Sequence, residues 1–274
     1  MSVEIFLRFA NQYIRITADS VTSNLLKQNY SRLIVPKPSH TQPSLEYAVQ
    51  KQDDVFVLNC PKDVNLEGIE DSRFIYLFEK DLTINLQEQR RDLFFMHGAC
   101  LNLGDKTIII TGESGAGKST TTWALTHHGF SYLSDELSPI DLNSMEVHPY
   151  SHALCLKNVP PEPYSLPEET LKTEYTMHVP AEYLNGGVHD GPAKLTHLFF
   201  VQYNKEQQNV LLEPVESTAA ASMQIYKNTL NHLCHEDAGL PAATKVASHC
   251  DCYTLEFNDV SQACLKIRDV LKES

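Results

Sequence analysis

The 274-residue sequence has no run of 18 apolar residues, the length a helix needs to cross a bilayer, and it opens without a basic leader. A cytoplasmic chain with no membrane partner is expected. Positive charge is scarce: 22 Lys and Arg stand against 35 Asp and Glu, giving a net charge of −13, and no arginine occurs between Arg91 and Arg268. Nucleic-acid backbones are gripped by clustered lysine and arginine, so no nucleic-acid partner is expected and a small anion has to be drawn by a local site. Internal repeats and low-complexity tracts are missing as well, which excludes solenoids and disordered tails. The seven cysteines are odd in number, irregularly spaced and without a C-x-x-C pair, so reduced thiols are expected rather than a disulfide framework.

What is present suits an ordinary globular chain. Apolar residues make up 42%, enough for the core of one large domain or of a small domain joined to a larger one. The texture changes near residues 90 to 95, which predicts a small α+β domain over 1–93 and an α/β domain over 94–274. In the first, residues 3–17 alternate as a strand or hairpin, Thr22 to Arg32 reads as a helix, and Pro36 to Pro43 is a proline-punctuated loop. Strand-like runs follow at Val55–Leu58 and Phe74–Phe78, and Leu82 to Phe94 has helical spacing. In the second, Thr107–Thr111 reads as a strand, Lys118–His128 as a helix closed by Gly129, and "NVPPEPYSLPEE" (Asn158–Glu169) as a long loop. Thr196 to Tyr203 reads as a buried strand, Ser217 to Leu233 as a helix, Cys252–Phe257 as a strand, and Val260 to Leu271 as the last helix.

The densest signal is "TGESGAGKST", Thr111 to Thr120, which fits G-x-x-x-x-G-K-[ST]. Gly112, Glu113, Ser114, Gly115, Ala116 and Gly117 form a loop whose glycines allow backbone N–H groups to turn toward phosphate oxygens. Lys118 would neutralise the β and γ phosphates, Ser119 would offer its hydroxyl to Mg²⁺, and Thr120 continues the helix that adds its positive end. Chance would produce the four fixed positions about once in a hundred chains of this length, and the flanking strand and helix make the alternative, a glycine turn without nucleotide, rarer still. ATP and Mg²⁺ are the implied cofactors. Sixteen residues after Ser119, "FSYLSDE" ends in Asp135 and Glu136. Acids at the end of the strand next after the P-loop helix suit transfer of phosphate to an acceptor hydroxyl, the alternative being a helix-capping or solvent-facing pair. Asn204-Lys205-Glu206-Gln207 lacks the final Asp of the guanine-reading N-K-x-D box and reads as a polar turn.

The stretch "FFMHGACLNLGDKTIIITGESGAGKSTTTWALTHHGFSYLSDE" resembles the catalytic domain of HPr kinase/phosphorylase and the kinases related to it, including those of lasso-peptide pathways. That family has a His-Gly pair before the P-loop strand and an acidic pair closing the next strand, here His97-Gly98 and Asp135-Glu136. The resemblance implies a P-loop domain of the HPr kinase type, with Asp135 as general base, Glu136 and Asp135 with Ser119 at the metal, and His97 beside the transferred phosphoryl group. It also implies a phosphate contact for Lys157, in "HPYSHALCLKN" (His148–Asn158). His97 as a hydrogen-bonded structural residue and Lys157 as a surface lysine remain the alternatives. The implied acceptor is a serine of a peptide or protein, and a homo-oligomer is compatible with the resemblance. A small-molecule kinase and an ATP-binding regulator without catalysis are the competing functions.

Two departures bear on substrate. The family's arginine-bearing glycine segment corresponds to "EYLNGGVHDGPAKLTHLFF" (Glu182–Phe200), whose cation is Lys194, so HPr itself and the reverse phosphorylase reaction are left open. A second cluster, His232, Cys234, His235, His249, Cys250 and Cys252, raises zinc, but without C-x-x-C spacing buried thiols and loop histidines are the preferred reading.

Overall fold

The computed structural model describes residues 2–39, 41–53 and 55–273. Along the chain the first elements are β1 (Val3–Phe9), β2 (Gln12–Ala18), α1 (Ser20–Tyr30), β3 (Leu45–Gln52), β4 (Val55–Asn59), β5 (Asn65–Glu70) and α2 (Asp71–Gln89). They are followed by β6 (Leu93–His97), β7 (Ala99–Leu103), β8 (Lys106–Thr111), α3 (Lys118–His127), β9 (Ser131–Ser134), β10 (Leu137–Asp141) and β11 (Glu146–Val147). Then come the short strands β12 (Leu154–Leu156), β13 (Leu171–Lys172) and β14 (Met177–Val179). The chain closes with β15 (Ala193–Tyr203), β16 (Leu211–Pro214), α4 (Thr218–Lys227), α5 (Leu240–His249), β17 (Asp251–Phe257) and α6 (Val260–Glu273). The result is a mixed α/β protein with several sheets.

Two compact units divide the chain. One comprises Met1–Arg90 with Ser151–Asn158 and Pro167–Glu182; the other comprises Arg91–Tyr150, Val159–Leu166 and Tyr183–Ser274. The first division falls three residues before the expected end of the 1–93 domain. The two later segments belong with the N-terminal unit because β12, β13 and β14 form a sheet of their own there, and the Ala153 N–H bonds the Asn29 carbonyl at 2.7 Å.

In the first unit β1 to β5 form a sheet in chain order. The β1–β2 hairpin turns through Ala10 and Asn11, both at positive φ (42° and 67°), as a two-residue hairpin turn demands. Asp19 caps α1, accepting from the N–H groups of Val21 and Thr22 at 2.8 and 2.9 Å, and also accepts from Lys51 N–H on β3 at 2.9 Å. The strand expected at Phe74–Phe78 is instead part of α2. Phe74, Phe78, Leu82 and Leu86, each no more than 1% exposed, continue one i, i+4 stripe, and burying such a stripe, at roughly 1.5–3 kcal/mol per side chain, outweighs the β preference of phenylalanine. Phe74 stacks on Phe56 of β4 at 4.1 Å between ring centroids. The helix stops at Gln89, so Leu93 and Phe94 of the expected helical stretch are strand, at the start of β6.

In the second unit a nine-stranded sheet runs β6-β10-β11-β15-β8-β7-β9, with β17 beside β15 and β16 beside β17. Strand β8 is parallel to β15, which is parallel to β17. Strand β7 is antiparallel to both β8 and β9, so β8 and β9 run the same way. Ile109 packs in a core with Leu133, Leu198, Ile225 and Val246, against α4 and α5. By strand alternation Ile108 and Ile110 face the opposite side, where α3 and α6 lie. Ser217 to Leu233 yields a helix only over Thr218–Lys227, ended at Asn228, and α5, to which sequence reading assigned no element, supplies Val246 to the core. Cys250 and Cys252 are buried with their sulfurs 3.9 Å apart. No helix of the described residues is long and apolar enough to cross a membrane.

Candidate active site

The P-loop motif occupies the bend between β8 and α3. Gly115 and Gly117 lie at φ +86° and +90°, the left-handed region that glycine tolerates. At Gly112 the constraint is contact, since a Cβ there would sit 2.5 Å from the Val201 carbonyl oxygen on β15. Glu113, Ser114 and Gly115 form the exposed crown, whereas Ala116 is buried and its carbonyl accepts from Tyr203 N–H at 3.0 Å. The Lys118 ammonium folds over the loop and donates to the carbonyls of Gly112 (2.8 Å) and Glu113 (3.1 Å). Ser119 and Thr120 are half-buried in the first turn of α3.

Cys100 of β7 aligns with Ile109 of β8 on one side and Ser134 of β9 on the other. Thr111 and Asp135 therefore emerge at the same edge of the sheet, about 10 Å apart by the spacing of two strands. Asp135 is 4% exposed, and its Oδ1 accepts a 2.8 Å hydrogen bond from the hydroxyl of Tyr132, itself fully buried. Ser134 Oγ turns the chain here, accepting from the N–H groups of Glu136 (3.3 Å) and Leu137 (3.1 Å).

His97 and Gly98 fill the space between these two strand ends. Thr111 Oγ1 donates to the His97 carbonyl at 2.8 Å, and His97 N–H donates to the Asn228 carbonyl at 2.7 Å. A side chain at residue 98 would meet the Ile110 carbonyl at 2.8 Å, so the backbone passes where only glycine fits. The His97 Nδ1 lies 3.3 Å from Glu136 Oε1, and both side chains are partly open to solvent. Thus Gly112 to Thr120, His97, Asp135 and Glu136 converge at one edge, whereas Lys157 is an exposed residue just after β12 in the other unit.

Sequence reading missed Tyr132, Asn228 and the course of the glycine segment. The Tyr132 N–H donates to the Gly187 carbonyl and the His189 N–H to the Tyr132 carbonyl, both at 2.9 Å, so residues 187–189 run alongside β9 at Tyr132. Only Tyr132 left a trace in the sequence: a tyrosine on a buried strand needs a partner for its hydroxyl, and Asp135 is three residues away.

The donor set suits Mg²⁺. Ser119, Asp135 and Glu136 carry hard oxygen atoms of the kind magnesium takes, and magnesium is ordinarily held by one or two carboxylates together with substrate phosphates and water rather than by an all-protein cage. Among the described residues no group of three or more His, Cys, Asp or Glu is placed to hold a metal ion by itself.

No protein-family model matches the chain, and no curated protein does. Among solved structures the chain is similar to the Hpr(Ser) kinase/phosphatase from Coxiella burnetii, at 11% sequence identity and a TM-score of 0.34, over 66% of this chain and 99% of that one.

Proposed function

We propose that the protein is an ATP- and Mg²⁺-dependent kinase that transfers the γ-phosphoryl group to a serine hydroxyl of a peptide or protein. One observation carries this reading: a glycine loop of P-loop sequence closes β8, and a buried carboxylate, Asp135, closes the strand that runs in the same direction one place beyond β7. Phosphoryl transfer asks for positioning, positive charge and one group to accept the hydroxyl proton, and this edge offers all three.

In this mechanism Lys118 leaves its loop carbonyls for the β and γ phosphates, and the loop with the first turn of α3 fixes the phosphate chain. Asp135, oriented by Tyr132, accepts the proton of the acceptor hydroxyl as its oxygen bonds to the γ-phosphorus and the bond to the nucleoside diphosphate breaks. His97, braced by Thr111 and Asn228, stands between donor and base to contact the phosphoryl oxygens. Mg²⁺, held by Ser119 with Asp135 and Glu136, would neutralise charge on the phosphates. Lys157 is assigned as an auxiliary phosphate contact on sequence grounds alone. The acceptor peptide is given to the face of residues 187–189, because they lie beside the strand that carries Asp135.

The test is mass spectrometry of candidate acceptors, peptides encoded beside the gene together with HPr, after incubation with protein, ATP and Mg²⁺. A single added phosphate on serine, lost in Asp135→Asn, is expected. Phosphorylation of metabolites alone, or of nothing despite ATP binding, would replace this reading with a small-molecule kinase or a nucleotide sensor.

A further inference from the structure

The two cysteines at the start of β17 have no part in the chemistry above, yet they are set against each other. Cys250 is extended (φ −117°, ψ 153°) where α5 ends, and Asp251 opens β17. Residues two apart in an extended segment point to the same face, so both thiols enter the core that Ile225 of α4 and Val246 of α5 share. The sulfurs stand 3.9 Å apart, with Cys250 Sγ 3.2 Å from the Val246 carbonyl and Cys252 Sγ 3.6 Å from the Cys250 carbonyl. Cys250 and Cys252 keep 8% and 7% of their surface open, whereas Cys100 and Cys264 keep none, so the pair lies at the margin of the core.

The pair also differs from other buried thiols in where its protons sit. Burial, with Asp259 nearby, pushes the Cys264 thiol up to about 12. At Cys252 a hydrogen bond from the Cys250 thiol outweighs burial and holds the thiol below its ordinary value, while the same bond and burial drive Cys250 up. The Cys250 proton has two acceptors in reach, the Val246 carbonyl and the Cys252 sulfur, and turns to the sulfur once that carries charge. One sulfur is thus the readier thiolate and its neighbour the proton holder, the division of roles between an attacking and a resolving cysteine. Disulfides span Cα separations of roughly 4.4–6.8 Å, and two residues of strand span about 6.6 Å. The bend needed for closure falls on Asp251, which is exposed and whose pairing with His197 is the first rung of the β15–β17 ladder, so little pairing is lost.

We infer that Cys250 and Cys252 form a reversible redox site, which hydrogen peroxide oxidises to an intramolecular disulfide, and that closing it loosens the core against α5. The Cys252 thiolate attacks one peroxide oxygen, the O–O bond breaks, and a sulfenic acid and water result. The Cys250 sulfur then attacks the Cys252 sulfur, and the S–S bond forms as the sulfenic oxygen leaves as a second water. Two thiols and one peroxide become one disulfide and two waters, the sulfurs giving up the two electrons that the peroxide oxygens gain. Closure draws Cys250 away from Val246 and opens space among close-packed side chains. A ring closed over three residues constrains the unfolded chain less than a long loop would, so it offsets little of that loss.

The test uses the full chain carrying Cys234→Ser, which removes the exposed thiol. It is treated with hydrogen peroxide, labelled with N-ethylmaleimide in denaturant, and cut after Lys245 and Tyr253 for mass spectrometry. The fragment Val246–Tyr253 holds Cys250 and Cys252 and no other cysteine. It is expected unlabelled and lighter by two hydrogen atoms, with Cys264 still labelled, and dithiothreitol should restore both labels. The oxidised protein should melt below the reduced one and recover on reduction. Cys250→Ser in the same background should instead gain oxygen on Cys252, because the resolving sulfur is gone. Both labels retained after peroxide, oxygen gained with the sulfurs unlinked, label lost equally at Cys264, or a disulfide that leaves the melting temperature unchanged would each overturn the inference.

Discussion

The hydroxyl of Tyr132 on β9 donates to Oδ1 of Asp135, three residues on in the turn that follows, at 2.8 Å, with both groups out of solvent. A hydrogen bond to a carboxylate favours its ionised form and fixes its plane, both of which a general base requires. Tyr132→Phe should therefore leave ATP affinity unchanged and lower kcat roughly tenfold. An unchanged kcat would make Tyr132 a packing residue only.

Asp135→Asn preserves shape and removes the proton acceptor. It should lower kcat by about 10²–10⁴-fold and leave nucleotide affinity within a few-fold of wild type. Retained transfer in a single-turnover assay would take Asp135 out of the mechanism.

Lys118 donates to the loop carbonyls of Gly112 and Glu113 at 2.8 and 3.1 Å and is half-exposed, so its removal costs the fold little. Lys118→Ala should melt within a few degrees of wild type yet lose at least tenfold in affinity for ATP and tripolyphosphate alike, because both rely on the same ammonium. Intact affinity for both would mean that the loop binds no phosphate.

Gly186 has no room for a side chain: a Cβ would stand 1.8 Å from the Phe130 carbonyl oxygen. Gly186→Ala should cost roughly 2–4 kcal/mol in urea unfolding or push the glycine segment off β9. If the segment moves, peptide phosphorylation should fall while ATP affinity holds, which separates the two outcomes.

His178, in the N-terminal unit, has its pKa lowered to about 4 by burial, with Glu79 opposing the shift and His152 adding to it. Its Nε2 bonds Thr176 Oγ1 at 2.9 Å, and nearby His152 Nε2 lies 3.0 Å from Glu79 Oε1. Below pH 6.5 the unfolded chain takes up a proton that the folded histidine refuses until about pH 4. Stability from His178 is thus complete above pH 6.5 and drains away as pH falls toward 4. Urea titrations across that window should show the loss, and His178→Gln should flatten it; an unchanged slope would assign the acid sensitivity to other groups.

The sequence alone determined the local elements whose signals are short in range. The strand, glycine loop and helix around Thr111 to Thr120, the strand running into Asp135, and the last strand and helix were all legible, because turn glycines, alternation and helical spacing act within a few residues. It misread Phe74–Phe78, where the deciding stripe reaches on to Leu82 and Leu86, beyond a strand-sized window. Only the tertiary structure decided which strand ends share an edge, that Asn228 and Thr111 brace His97, that residues 187–189 border β9, and that residues 151–158 and 167–182 fold with the N-terminal unit. Each of those outcomes is a pairing between segments tens to more than a hundred residues apart. Such pairings are selected by the burial and backbone hydrogen bonds of the whole assembly, which no local pattern encodes.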